Sequence, residues 1–66
     1  MKTENFGKNI KQILNELELN QTEFAQLIGI TQAGVSQILS GERTPSIETV
    51  IKILEKIPVK FERLFR

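Results

Sequence analysis

The chain contains neither cysteine nor histidine, and these absences limit what it can do. A domain of 66 residues often depends on disulfide bonds or a metal ion, so stability here must come from packing, helix capping or a partner subunit. General acid–base and nucleophilic catalysis most often use histidine or cysteine, and the acidic residues form no cluster. We therefore predict no enzymatic activity, no metal site, no cofactor and no small-molecule ligand.

The chain also lacks a long apolar run and a large excess of one charge. No segment is suited to span a bilayer, and the N-terminal MKTENFGKNIKQ is too polar for a secretory signal. We therefore expect one soluble cytoplasmic domain over residues 1–66, without membrane contact. Nine basic and eight acidic residues leave a net charge of +1, which is low for a nucleic-acid-binding protein. Their distribution is more informative, because residues 24–41 carry no charge.

What the chain does have is helical periodicity. Apolar residues recur at spacings of three and four, no segment alternates as a strand would, and Pro45 and Pro58 separate successive patterns. Asn20 and Thr31 are suitable N-caps, and Glu23 can complete a capping box with Asn20. Five helices in an all-α domain are predicted. The apolar positions of the first, second and fourth are Phe6, Ile10, Ile13, Leu14 and Leu17; Phe24, Leu27 and Ile28; and Ile47, Val50, Ile51, Ile53 and Leu54.

The predicted third helix has two different faces. With about 100° between successive residues, Val35, Ile38 and Leu39 share a face suited to the core. The opposite face is short, polar and uncharged, and could be either a solvated surface or a surface that reads base edges in a DNA groove. Its residues are Gln32, Ala33, Ser36, Gln37 and Ser40.

The segment QTEFAQLIGITQAGVSQIL has the form of a helix, a tight turn at Gly29 and a second helix. Together with FGKNIKQIL before it and SGERTPSIETVIKILEKIPVKFERLF after it, this segment resembles the phage repressor and Cro-like (XRE) family. The resemblance covers nearly the whole chain. It implies a compact five-helix, lambda-repressor-like fold with the helix-turn-helix at about residues 21–40. It also implies sequence-specific binding of double-stranded DNA by a transcriptional regulator, most simply a repressor. The motif residues are Gln21, Phe24, Ala25, Leu27, Ile28, Gly29, Ile30, Thr31, Val35, Ser36 and Ile38.

The resemblance also implies roles for individual residues. Those expected to read bases are Gln32, Ala33, Gly34, Ser36 and Gln37. Those expected to bind phosphates are Asn20, Gln21, Thr31, Ser40, Arg43 and Thr44. Simpler roles remain open: a helix N1 position for Gln21, and an ion pair with Glu42 or Glu48 for Arg43.

The chain departs from the family pattern in two ways. Leu14 and Leu39 stand where many relatives have an Arg–Glu ion pair, and we expect the two leucines to touch. Gly34 stands where relatives often have a side chain and costs about 1 kcal/mol of helix stability relative to alanine. Close packing against another backbone, simple tolerance of glycine, and deeper seating in the groove are all open explanations.

One recognition helix reads few base pairs, so the resemblance implies a homodimer on a palindromic operator with half-sites roughly 34 Å apart. We expect the dimer contact at Phe61, Leu64 and Phe65, with the end of the fourth helix as a possible addition. The alternative is that Phe61 and Leu64 complete the core, which would leave Phe65 the most exposed. The alternative function is an antitoxin-like or anti-regulator protein-interaction module, favoured by the low net charge. If the chain is complete, control would come from concentration and dimerisation; in a longer protein a C-terminal domain could supply both.

Overall fold

The computed structural model describes residues 5–65. Helices are the only regular secondary structure in that range, as predicted. Within that range, no helix has the length and apolar character needed to cross a membrane. The five helices are α1 (Phe6–Leu17), α2 (Gln21–Ile28), α3 (Gln32–Ser40), α4 (Ile47–Lys56) and α5 (Phe61–Phe65).

Side-chain caps start three of the helices. Asn20 and Glu23 form the predicted capping box, in which the Glu23 N–H donates to Asn20 Oδ1 at 2.7 Å and the Asn20 N–H donates to Glu23 Oε1 at 3.0 Å. Thr31 Oγ1 accepts a hydrogen bond from the Gly34 N–H at 3.0 Å and so caps α3. Ser46 caps α4 in the same way. Each cap satisfies one of the amide donors that the first helical turn leaves unpaired.

The turn between α2 and α3 is short because Gly29 reverses the chain in a left-handed conformation, with φ of 75°. A side chain would be strained there, whereas glycine adopts this conformation freely. The turn brings α3 against α2, so both helices of the predicted helix-turn-helix form in the expected places.

The core lies between α3 and the helices that pack on it. α1 and α2 each pack against α3, while α5 packs on α1 and α4 packs on α2. Leu14 and Leu39, which we expected to touch, are both buried in this core and border the same surface hollow between α1 and α3. The buried apolar residues are Phe6, Ile10, Ile13, Leu14, Phe24, Ala25, Ile28, Val35, Ile38, Leu39, Val50, Ile53, Ile57 and Leu64.

Gly7 lies where the backbone of α1 comes close to that of α3. A Cβ atom built on Gly7 would lie only 2.6 Å from the carbonyl oxygens of Ile38 and Leu39. These are backbone atoms, which cannot rotate away as a side chain can. The absence of a side chain at Gly7 therefore sets how near α1 comes to the C-terminal half of α3.

Four apolar residues that continue the helical patterns are exposed instead of buried. Leu27 is 41% exposed, Ile47 is 66% exposed and Ile51 is 50% exposed, and Leu17 is exposed as well. The buried sides of α1 and α2 are therefore narrower than the apolar patterns predicted, because Leu17 and Leu27 lie outside them. On α4 only part of the apolar side is buried: Val50 and Ile53 face the core, while Ile47 and Ile51 face solvent.

Candidate nucleic-acid interface

The outer face of α3 consists of Gln32, Ala33, Ser36 and Gln37, all of which are exposed. Val35 and its apolar neighbours on the other side are buried and fix the helix to the core. Because no charged residue lies on α3, its outer face offers amide and hydroxyl groups and a methyl group. These are the groups that can bond base edges or contact a thymine methyl in a major groove.

Gly34 does not belong to this face, which corrects its predicted base-reading role. It is buried, and a Cβ atom at this position would lie 3.2 Å from Thr31 Oγ1. That separation is tight for a Cβ contact. No backbone atom of another element lies within 4 Å of that Cβ position, so close packing against another backbone does not explain Gly34. Instead, the missing side chain leaves room for the hydroxyl that caps α3.

The N-terminus of α2 lies at one side of α3. Asn20 and Gln21 are exposed there, and they border a shallow hollow together with Leu39 of α3 and Lys11 of α1. Asn20 uses its Oδ1 in the capping box, so its amide Nδ2 is a donor that the cap does not use. Both residues can therefore donate hydrogen bonds toward a phosphate beside α3.

Two lysines of α1 extend this side of the surface, and the sequence reasoning gave them no role. Lys8 and Lys11 are exposed and border a second hollow with Ser40 and Gly41, at the C-terminal end of α3. Their spacing of three places both on one side of α1. Only the packing of α1 on α3 reveals that this side borders the predicted recognition helix.

Ser40 is exposed, but its hydroxyl is already used within the chain. Ser40 Oγ donates to the Gln37 carbonyl oxygen at 3.1 Å and accepts from the Glu42 N–H at 3.4 Å. These hydrogen bonds cap the C-terminal end of α3. The hydroxyl can still accept a further bond, but it has no free proton to donate to a phosphate.

Arg43 and Thr44 lie on the other side of α3. Both are exposed and border a hollow between the N-termini of α3 and α4, together with Thr31 and Gly34. Among residues 5–65, Arg43 makes no ion pair. Glu48, one of the acids that we considered as its partner, pairs with Lys52 at 3.3 Å instead. The Arg43 guanidinium therefore has its donors available to a ligand.

The C-terminal segment is arranged differently from the prediction. Leu64 is completely buried, so its predicted dimer contact is wrong: the side chain is part of the core. Phe61, predicted for the dimer contact with a place in the core as the alternative, is 47% exposed. Phe65 is only partly exposed, because its ring lies 5.2 Å from that of Phe6 and 4.9 Å from that of Phe61.

Polar contacts also hold α5 on α1. Asn9 Nδ2 donates to the Leu64 carbonyl oxygen at 3.1 Å, and the Arg63 guanidinium donates to a carboxylate oxygen of Glu16. The hydrogen bond from Arg63 lowers the pKa of Glu16 below its usual value, since it stabilises the carboxylate. Among the described residues there is no group of acidic side chains that could hold a metal ion.

Comparison with known proteins agrees with this geometry. Residues 10–64 match the family model described as Helix-turn-helix. The chain belongs to this helix-turn-helix family. Its members are DNA-binding transcriptional regulators and not enzymes, and the repressor and Cro-like resemblance seen in the sequence is confirmed.

Two curated relatives are similar to most of the chain. It is 31% identical over 62 residues to the HTH-type transcriptional repressor RghR of Bacillus subtilis, covering 92% of this chain and 46% of the relative. It is 34% identical over 55 residues to the antitoxin PezA of Streptococcus pneumoniae, covering 83% of this chain and 35% of the relative. The chain thus spans less than half the length of either relative.

Proposed function

We propose that the protein binds double-stranded DNA in a sequence-specific manner, as a dimer on a palindromic operator, and represses transcription there. The observation that carries the proposal is the uncharged outer face of α3 with cations on both sides of it. Lys8 and Lys11 lie on the α1 side and Arg43 lies on the α4 side. A helix in the major groove has a phosphate strand on each side, so this arrangement suits the groove. Such a protein would act in the cytoplasm, with its DNA.

In the proposed complex, base reading and phosphate binding are separate. Gln32, Ala33, Ser36 and Gln37 contact base edges, and the glutamine amides are suited to bidentate bonding with adenine. The phosphate contacts set the register of α3 and carry little sequence information. They are made on the two sides of α3 by Lys8, Lys11, Asn20, Gln21, Thr31, Arg43 and Thr44. Ser40 is left out because its hydroxyl proton is already donated to the Gln37 carbonyl oxygen.

A dimer is proposed because one recognition helix reads too few base pairs for a unique operator. Two copies related by a two-fold axis would place two α3 helices on half-sites roughly 34 Å apart. Of the residues predicted for this contact, Leu64 is buried and Phe65 is partly covered by two rings, which leaves about half of the Phe61 side chain exposed. One half-exposed ring is too little apolar surface to hold two copies together.

Selection from a pool of random double-stranded DNA at low salt tests the proposal. We expect enrichment of a palindrome, and binding to it should weaken as salt rises, because phosphate contacts release counterions. The matched control is the double variant Gln32→Ala/Gln37→Ala, which should keep weak non-specific binding and lose the enrichment. Failure of the unaltered protein to enrich any palindrome would refute the proposal.

A second candidate function rests on the similarity to a protein named antitoxin. In that case the domain would bind a protein partner, with or without DNA. Expression of this protein beside a toxic partner encoded in the same genome distinguishes the two. Neutralisation that survives the Gln32→Ala/Gln37→Ala change would favour protein binding, while repression that is lost with the same change would favour the operator.

A further inference from the structure

The most exposed apolar surface in residues 5–65 lies on α4. Ile47 and Ile51 are 66% and 50% exposed, and they lie one turn apart on the same side of the helix. Leu54, partly buried, continues the line by one more turn. We call Ile47, Ile51 and Leu54 the α4 stripe. Contiguous exposed apolar surface of this kind marks an interaction site more often than an ordinary solvated surface.

Ile47 and Ile51 are not part of the core, although Leu54 packs against its edge. Val50 and Ile53 are the buried residues of α4, and they lie on the side that packs toward α2. None of the helices in the described range covers Ile47 or Ile51, as their exposure shows. Phe61 differs in this respect, because its ring already contacts that of Phe65 at 4.9 Å.

We infer that the α4 stripe is where a second copy of this chain docks, with the two α4 helices antiparallel across a two-fold axis near Ile51. The inference rests on the dimer in the proposed function and names its surface. An antiparallel pair centred on the stripe places Ile51 near Ile51 of the second copy and Ile47 opposite Leu54 of the second copy. Apolar side chains thus meet along the whole contact.

The charges beside the stripe suit the same arrangement. Glu48, Lys52 and Glu55 border its solvent side and lie within one helical quadrant of each other. With a rise of about 1.5 Å per residue, Glu48 of one copy lies within roughly one residue of Lys52 of the second copy along the axis. Glu55 lies level with Ser46 of the second copy, at the positive N-terminal end of its α4.

These charges also argue against a parallel pairing. In a parallel pair the two-fold axis runs along the helices, so the charged sides of the two copies lie on opposite sides of the contact. Glu48 of one copy then has no Lys52 of the second copy beside it. In the single chain, Glu48 and Lys52 already form an exposed ion pair at 3.3 Å. The antiparallel dimer lets both residues keep an opposite charge nearby, now from either copy.

Sedimentation equilibrium of the full chain, without DNA, tests the inference. We expect the unaltered chain to dimerise, and Ile51→Glu to raise the dimer dissociation constant by about 30-fold or more, as loss of a central interface residue does. The helical circular-dichroism signal of the Ile51→Glu monomer should be unchanged, because the side chain is half-exposed. Its thermal midpoint should equal that of the unaltered chain at concentrations below the dimer dissociation constant, where association no longer stabilises the fold. The matched variant is Phe61→Gln on α5, which should leave the dimer nearly intact.

A charge-complementation experiment tests the antiparallel register. Glu48→Lys alone and Lys52→Glu alone should each weaken self-association, while an equal mixture of the two variants should form a heterodimer. A chain that stays monomeric, a dimer that tolerates Ile51→Glu, or a dimer broken by Phe61→Gln alone would each overturn the inference. The inference would also be overturned if the mixture of Glu48→Lys and Lys52→Glu associated no more tightly than either variant alone.

This outcome is independent of the DNA proposal. If a palindrome is selected but Ile51→Glu leaves the dimer intact, the docking surface is wrong and the proposed function stands. If Ile51→Glu dissociates the dimer but no palindrome is selected, the docking surface stands and the proposed function is wrong.

Discussion

The outer faces of α3 and α4 are both exposed to solvent, but they are built from opposite kinds of side chain. On α3 the exposed residues are amides, a hydroxyl and a methyl group, without charge. On α4 they are an apolar stripe bordered by Glu48 and Lys52. Recognition of base edges requires directional hydrogen bonds, whereas association of two protein surfaces is stabilised by burying apolar side chains. The difference thus indicates two different partners for two neighbouring helices.

The largest effect on stability is expected from Gly7→Val, which disrupts the packing of α1 against α3. The new side chain would meet the backbone carbonyl oxygens of Ile38 and Leu39, so α1 must move away from α3. We expect a loss of about 3 kcal/mol in the free energy of unfolding, measured by urea denaturation. The matched variant Gln12→Val, at an exposed position of α1, should cost less than about 1 kcal/mol. Equal losses would show that Gly7 is not a close-contact position.

The next effect is on specificity and tests the α3 face directly. Gln32→Ala should weaken operator binding by about 1–3 kcal/mol and relax the preference at a single base pair. The thermal midpoint should not change, since Gln32 is exposed. Binding to a set of single-base operator variants measures this. A uniform loss across all sequences would instead assign Gln32 to a phosphate contact.

A smaller and different effect is expected from Lys11→Ala. If Lys11 meets a phosphate, affinity should fall alike for all sequences, and the slope of log K against log salt should lessen by about 0.9. Lys56→Ala is the matched control, because Lys56 is equally exposed but ends α4. The same change in slope for both variants would mean that only net charge matters and that the α3 surroundings have no special role.

The comparison also explains which features could be predicted from sequence. The helices and their caps depend on local patterns, so Asn20, Glu23 and Thr31 lie as expected. Exposure of Ile47 could not be predicted, because periodicity identifies the apolar side of a helix but not whether another helix covers it. Whether Leu27 is covered depends in the same way on the neighbouring helices.

In the candidate interface, too, some features follow from local sequence and others depend on contacts between helices. The outward side chains of α3 follow from helical geometry alone, and the resemblance supplied their roles. Lys8 and Lys11 could not be assigned, since they approach α3 only through the packing of α1. Gly34 was misplaced because its role depends on the space beside the Thr31 hydroxyl. In each case the missing information was a contact between elements.

The smallest effect is expected at the contact between α1 and α5, which lies outside both faces. Arg63 lowers the pKa of Glu16 in the folded chain, so this pair stabilises the fold above the unfolded pKa of glutamate, about 4.3. The contribution disappears as pH falls through the lower, folded pKa. Glu16→Gln should therefore reduce stability slightly at pH 7 and equal the unaltered chain in strong acid. The pair is exposed, so the effect at pH 7 should be small.

Thermal unfolding of both proteins from pH 7 down to pH 2 measures this difference. Arg63→Gln should show the same convergence, and adding it to Glu16→Gln should cost little more than either change alone, because both remove one interaction. DNA affinity and self-association should stay unchanged in both variants, since neither residue lies on the α3 face or the α4 stripe. A stability gap that persists into strong acid would mean that Glu16 acts through packing and not through its charge.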